Sequence, residues 1–285
     1  MRFADNGKVS LDHIYTEPDP RAYFGTLREF DYCIPQLAKP YFAELIREYR
    51  AVQRIHVPHI VDIGCSYGVN AALLKFDLTM DELYERYCDP AAGSHSLSRL
   101  LARDRELARS RNDLRHTRFV GLDKSRPALS YALLAGFLDA TVHADLEERE
   151  PSQYHRAQLA RADLVISTGC VSYVTERTVS RVANAHGTRR PWMAHFVLRM
   201  FPFAPVADSL ARLGYETVQL DQAFRQRRFV SREEQSLVMD TLSGVGVNPS
   251  GLEADGWLYA QLYVSRPRVT KERVVVDLAI RTDRG

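Results

Sequence analysis

Long apolar runs are missing from these 285 residues. No stretch approaches the ~18 consecutive apolar residues that cross a bilayer, and the opening "MRFADNGKVS" carries no apolar h-region. Neither membrane insertion nor secretion is expected. Cysteine is scarce: Cys33, Cys65, Cys88 and Cys170 lie far apart with no C-x-x-C spacing. That argues against a zinc or dithiol site, so no metal is implied, and it fits a reducing, cytoplasmic setting. Charge of one sign is also lacking. Lys and Arg number 38 against 36 Asp and Glu, a net +2, so no whole-molecule field points to a nucleic acid or an anionic membrane as partner. Internal repeats and low-complexity tracts are absent. What remains is 45% hydrophobic, enough for a substantial core in one large domain or one domain with additions.

Residues 1–55 hold Pro18, Pro20, Pro35 and Pro40 between short helical patterns, and "PYFAELIREY" repeats Phe42, Leu45, Ile46 and Tyr49 at helical spacing. This predicts a helical N-terminal extension. From residue 56 to 268 short β-rich runs alternate with amphipathic helices. The strands are "HIVDI", "RFVGLD", "ATVHAD", "ADLVIST" and "MAHFVLRM", with two later ones at "ETVQL" and "WLYAQLYVSRP". Such alternation predicts an α/β fold with a mostly parallel sheet and helices on both faces. Residues 77–116 read as a helical insertion, with a capping box at Thr79 and Glu82 and an Arg-rich helix near 96–111 whose interspersed Asp104 and Glu106 suggest a solvated face. A second insertion is expected at 222–256, where "SREEQ" opens a helix. Residues 269–285 form a tail whose role the sequence leaves open.

The stretch "HIVDIGCSYGVNAALL" raises the chemical question. An apolar strand runs into Asp62, Gly64 permits a tight turn, and Gly68 lets the following helix pack close to the strand. Alone, Asp62 reads equally well as a turn residue or helix cap. Asp123 then ends the second strand and Asp145 the third, so three carboxylates on successive parallel strands are expected at the edge where open α/β sheets bind ligands. An acidic residue closing the second strand is the usual acceptor for ribose hydroxyls.

With those residues in view, the chain resembles the class I S-adenosylmethionine-dependent methyltransferases over about residues 58–266. "VDIGCSYG" matches their first motif, with Ser66 where the middle glycine usually falls; "GLDKS" is similar to the second, "HADLEE" to the third and "ADLVISTGCVSYV" to the fourth-strand motif. The resemblance implies a Rossmann-like seven-stranded methyltransferase sheet and S-adenosylmethionine as cofactor, leaving as S-adenosylhomocysteine. It would place Asp62, Gly64 and Gly68 around the methionine portion, Asp123 on the ribose, and Asp145 on the adenine amino group with Lys124 and Leu146 flanking the ring; Cys65, Ser66 and Thr168 are further candidate cofactor-binding residues.

Because that cofactor carries an activated methyl group, the protein's task would be to align a nucleophile and exclude water. By position, His195 in the fifth strand and Tyr173 after the fourth are the candidate catalytic residues, although a histidine within "MAHFVL" is also an ordinary packed strand residue. Cys170 lacks a partner histidine and reads as structural. Tyr23, Phe24, Tyr32 and Tyr41 suit either a pocket cap or a core. "STGCVSY" stands where base-amino methylases carry Asn/Asp-Pro-Pro-aromatic, and Glu176 is without the second glutamate of the protein arginine enzymes. The expected function is therefore methylation of a small-molecule acceptor, with secondary metabolism as a candidate setting. Two alternatives stand beside it: a methyltransferase-fold protein that binds cofactor or partner without catalysis, and a nicotinamide oxidoreductase, which would call for G-x-G-x-x-G. Oligomeric state is not legible.

Overall fold

A computed structural model of the protein describes residues 11–111 and 116–268. The tail at 269–285 lies outside the described residues. The expected strands form one seven-stranded sheet: β1 (His59–Ile63), β2 (Arg118–Asp123), β3 (Ala140–His143), β4 (Leu164–Thr168), β5 (Trp192–Leu198), β6 (Tyr215–Arg228) and β7 (Trp257–Pro267), in the spatial order β3-β2-β1-β4-β5-β7-β6. The first five are parallel, and β7 runs antiparallel to both β5 and β6. Strand order reverses between β1 and β4, which opens a crevice at their carboxyl ends. The order and directions are those of the expected seven-stranded Rossmann-like sheet.

Side-chain alternation along the strands makes two cores. Ile60, Leu164, Ile166, Ala194, Phe196 and Leu262 point to one face, where the long helix α2 (Ile34–Gln53) lays Phe42, Leu45, Ile46 and Tyr49 against them. Val61, Ile63, Val165, Met193 and Val197 point to the other and meet Leu159, Val179, Val182 and Leu210. Each such side chain removed from water contributes roughly 1.5–3 kcal/mol, which is why the strands read as near-continuous apolar runs. Gly121 in β2 lies in register with Asp62. A Cβ there would sit 2.5 Å from both Cys65 Sγ and Leu138 Cδ1, so Gly121→Ala should destabilise by about 1–3 kcal/mol, read as a melting point several degrees lower.

A third apolar cluster joins the N-terminal segment to the insertion. Tyr23, Phe24 and Leu27 of α1 (Arg21–Glu29) pack against Leu83, Tyr84 and Tyr87 of the insertion helix Met80–Cys88, with Phe24 stacked on Tyr87 at 4.8 Å. Tyr23 and Phe24 are thus core residues. The capping box at Thr79 and Glu82 forms as the sequence implied.

Three expectations are corrected. The Arg-rich helix Leu97–Ser110 is not simply a solvated face: Asp104 is fully buried and accepts from Arg86 Nε (2.6 Å), Tyr87 Oη (2.7 Å) and Tyr131 Oη (2.5 Å). Periodicity missed this because the partners come from other helices. The segment expected as an insertion from residue 222 instead continues β6 through Arg228, carried by pairing with β7. Gly68 admits close packing not against its own strand but against the helix Arg126–Ala135 and the turn at its C-terminal end: a Cβ would lie 3.1 Å from that of Ala132 and 3.3 Å from that of Phe137.

Candidate active site

The turn after β1 is built from alternating left-handed residues: Gly64 (φ +68°), Ser66 (φ +49°) and Gly68 (φ +76°). Left-handed backbone costs a residue with a Cβ about 1–2 kcal/mol, so Ser66 keeps the glycine-like conformation of the position at an energetic penalty. The departure from the first motif is therefore in the side chain alone. Gly64 also needs its missing side chain, because a Cβ would lie 2.7 Å from that of Cys170.

Asp123 ties this turn to the second strand. Its Oδ2 accepts from the Ser66 N–H and its Oδ1 from the Ser125 N–H, both at 2.8 Å. Burial raises its pKa above the usual carboxylate value, opposed by those two N–H groups. Ser66 Oγ is buried with no hydrogen-bond partner.

Asp62 lies inside β1, one residue before its end, and is fully buried. Asn70, in the first turn of the helix Val69–Lys75, donates to Asp62 Oδ1 (3.1 Å) and to Thr168 Oγ1 (3.2 Å), joining the ends of β1 and β4. Sequence reasoning missed Asn70. Its signal was a lone polar residue within "GVNAALL". Burial, with the Asp123 charge nearby, pushes the Asp62 carboxyl up to about 8 against the Asn70 hydrogen bond. The folded protein then holds a proton that the unfolded chain releases between pH 3.8 and about 8. Stability from this group is full below that window and lost as pH rises through it. Asp62→Asn should flatten the corresponding decline in melting point; an unchanged decline would assign it to other groups.

Of the other expected residues, Thr168 lies beside Asn70, and the Tyr173 hydroxyl stands 3.5 Å from where a Gly64 Cβ would be. Lys124 Nζ lies 5.8 Å from the Tyr173 ring centre. Asp145 is a correction: β3 stops at His143, and the exposed Asp145 accepts from the Glu147 (3.0 Å) and Glu148 (3.3 Å) N–H groups, turning the chain. The side chains of Leu146 and Cys65 are core, while Gly68 caps its helix.

His195 is not brought to these residues. Asp62 pairs in register with Ile166, and Ile166 with Ala194, so the next residue in β5 points through the opposite face of the sheet. There the fully buried ring meets Ser167 Oγ through Nδ1 at 2.8 Å, and burial lowers its pKa to about 4. Cys170, pushed up to about 12 by burial, donates its thiol to the Ile63 carbonyl at 3.2 Å, as a structural cysteine would. No group of potential metal ligands occurs among the described residues, and no described helix is long and apolar enough to cross a membrane.

The crossover sheet, the left-handed turn and the acid at the tip of β2 define the class as a Rossmann-like α/β fold. No protein-family model and no curated protein matches the chain. Among solved structures it is similar to magnesium protoporphyrin IX methyltransferase from Synechocystis PCC 6803 (12% identity, 81% of this chain and 82% of that one, TM-score 0.39). It is also similar to geranyl diphosphate C-methyltransferase from Streptomyces coelicolor A3(2) (9%, 81% and 79%, 0.38). A third is a TehB-like S-adenosylmethionine-dependent methyltransferase from Corynebacterium glutamicum ATCC 13032 (14%, 80% and 98%, 0.36).

Proposed function

We propose that the protein is an S-adenosylmethionine-dependent methyltransferase acting on a small-molecule acceptor, in a biosynthetic setting such as secondary metabolism. The observation that carries this is the Asp123 carboxylate holding the Ser66 N–H within a turn of three left-handed residues. In this reading Asp123 receives the ribose hydroxyls. The Ser66 hydroxyl takes a polar atom of the amino-acid end, and Lys124, Asp145 and the Leu146 backbone border the adenine. The buried Asp62 carboxyl, tied through Asn70 to Thr168, braces the turn that would receive the methionine portion. The unpartnered Ser66 hydroxyl supports this fit, since a polar atom of the cofactor would satisfy it.

Bound S-adenosylmethionine supplies the activated methyl group. The chain's own residues align the acceptor behind that carbon and exclude water. Tyr173, beside Gly64, is the hydroxyl we assign to the reacting side; His195, behind the sheet, is assigned no proton transfer. The test is a thermal melt of purified protein with S-adenosylhomocysteine, S-adenosylmethionine and NAD in parallel. A ligand at 100 times its Kd stabilises by about 2.7 kcal/mol, a shift of several degrees. A shift with the two sulfur cofactors alone supports the reading. No shift, in protein shown to be free of bound ligand, withdraws it; cofactor binding without methyl transfer to any acceptor would identify a binding protein.

A further inference from the structure

The side-chain amide oxygen of Gln226 lacks the hydrogen bond that a buried acceptor requires. Gln226 is 4% exposed, and its Oε1 is buried without a partner. It sits where β6 breaks register against β7: Arg225 pairs with Tyr259 and Arg227 with Leu258, so Gln226 is the extra residue of a β-bulge. Bulges re-aim side chains, and this one turns the amide over Gly169, whose missing side chain leaves it room; a Cβ at Gly169 would collide with Gln226 Nε2. Gly169 directly follows Thr168, the residue tied through Asn70 to Asp62.

The N-terminal segment closes over the same corner. The Cys33 N–H donates to the Gln226 carbonyl at 2.9 Å, the Arg228 N–H to the Phe30 carbonyl at 2.7 Å, and Tyr32 reaches Thr168 with its hydroxyl. Gln226, Thr168 and Tyr32 are all uncharged. The flanking arginines are engaged elsewhere: Arg227 pairs with Glu234, and the Arg225 guanidinium lies over the Trp257 ring. A charged ligand would be desolvated at this corner against uncharged side chains, whereas a neutral N–H donor would complete the amide oxygen.

We propose that Gln226 is a specificity-determining residue that binds the methyl acceptor through its side-chain amide oxygen, and that the acceptor presents there an uncharged hydrogen-bond donor, the N–H of a carboxamide or lactam. The proposal rests on the methyltransferase reading and names the substrate class of that site. A structural amide and a ligand-binding amide predict opposite results on replacement by an apolar side chain of similar size. Gln226→Met and Gln226→Leu should melt about 2–4 °C above wild type, because the unsatisfied amide is gone, and should bind S-adenosylhomocysteine within twofold of wild type.

The probes are benzamide, benzoate and benzylammonium, titrated against wild type loaded with S-adenosylhomocysteine. Benzamide should bind in preference to the two ions and lose about tenfold in affinity in Gln226→Met, the loss of roughly one hydrogen bond. Lower melting points in both variants, an ion binding in place of benzamide, or no binding by any of the three overturns the proposal. The two readings fail separately. A missing response to S-adenosylhomocysteine in wild type counts against the methyltransferase reading, while the amide proposal falls on the melting points and the three probes.

Discussion

Asp123→Ala should abolish the melting-point response to S-adenosylhomocysteine, weakening its affinity by about 100-fold or more. The carboxylate is the acceptor assigned to the ribose hydroxyls, and hydrogen bonds to a charged group contribute roughly 1.5–3 kcal/mol each. Losing two such bonds corresponds to a factor of about 10² or greater. The free protein should also suffer. Without the carboxylate, the N–H groups of Ser66 and Ser125 lose their acceptor, and Ser66 has no reason left to hold φ +49°. We expect about 1–3 kcal/mol of destabilisation, moderated because the buried carboxylate is itself held against desolvation. Glu106→Ala is the control: exposed on the helix Leu97–Ser110 and outside the residues assigned to the cofactor, it should change stability by under ~0.5 kcal/mol. Calorimetric titration of both variants reads the affinities. Wild-type affinity in Asp123→Ala would remove Asp123 from the site.

Arg227→Met should produce the largest loss of stability, about 3–5 kcal/mol, with the melting point lower by roughly 10 °C. Arg227 and Glu234 are 4% and 0% exposed and meet through two parallel bonds, Nη1 to Oε2 at 2.8 Å and Nη2 to Oε1 at 2.6 Å. Removing the guanidinium strands a carboxylate that also accepts from the Val230 N–H at 2.8 Å. The cost is that of an uncompensated buried charge, so adding Glu234→Met should recover part of the loss, since an apolar pair is often tolerated where an ion pair stood. A double-mutant cycle by denaturant unfolding checks this. Additive losses would mean the two side chains do not act as a pair. The pair clamps the end of β6 to the helix Arg232–Gly244 immediately beyond the Gln226 bulge, and so holds the corner where we place the acceptor.

Much of this architecture was legible in the residues. Each expected strand from "HIVDI" to "WLYAQLYVSRP" is a strand, the Thr79 capping box forms, and the spacing of Gly64 and Gly68 marks the left-handed turn. These features are local. Apolar period, cap chemistry and the absence of a Cβ act over a few residues, so the sequence carries them without knowledge of what lies opposite. The length of β6 was not legible, because residues 222–228 are strand through pairing with β7 some thirty-five residues later.

The same division runs through the site. The sequence by itself determined which acidic and glycine residues follow which strands, and so proposed Asp62, Asp123 and the turn between them. Only the tertiary structure decided that His195 points away through the sheet, that Asp104 is buried beneath three side chains from other helices, that Asn70 links Asp62 to Thr168, and that the Gln226 amide, on a bulge beside Gly169, keeps its oxygen unpartnered. Facing, burial and pairing of remote side chains depend on register and on which elements meet. Those are settled by burying the whole apolar surface at once, not by any short run of residues.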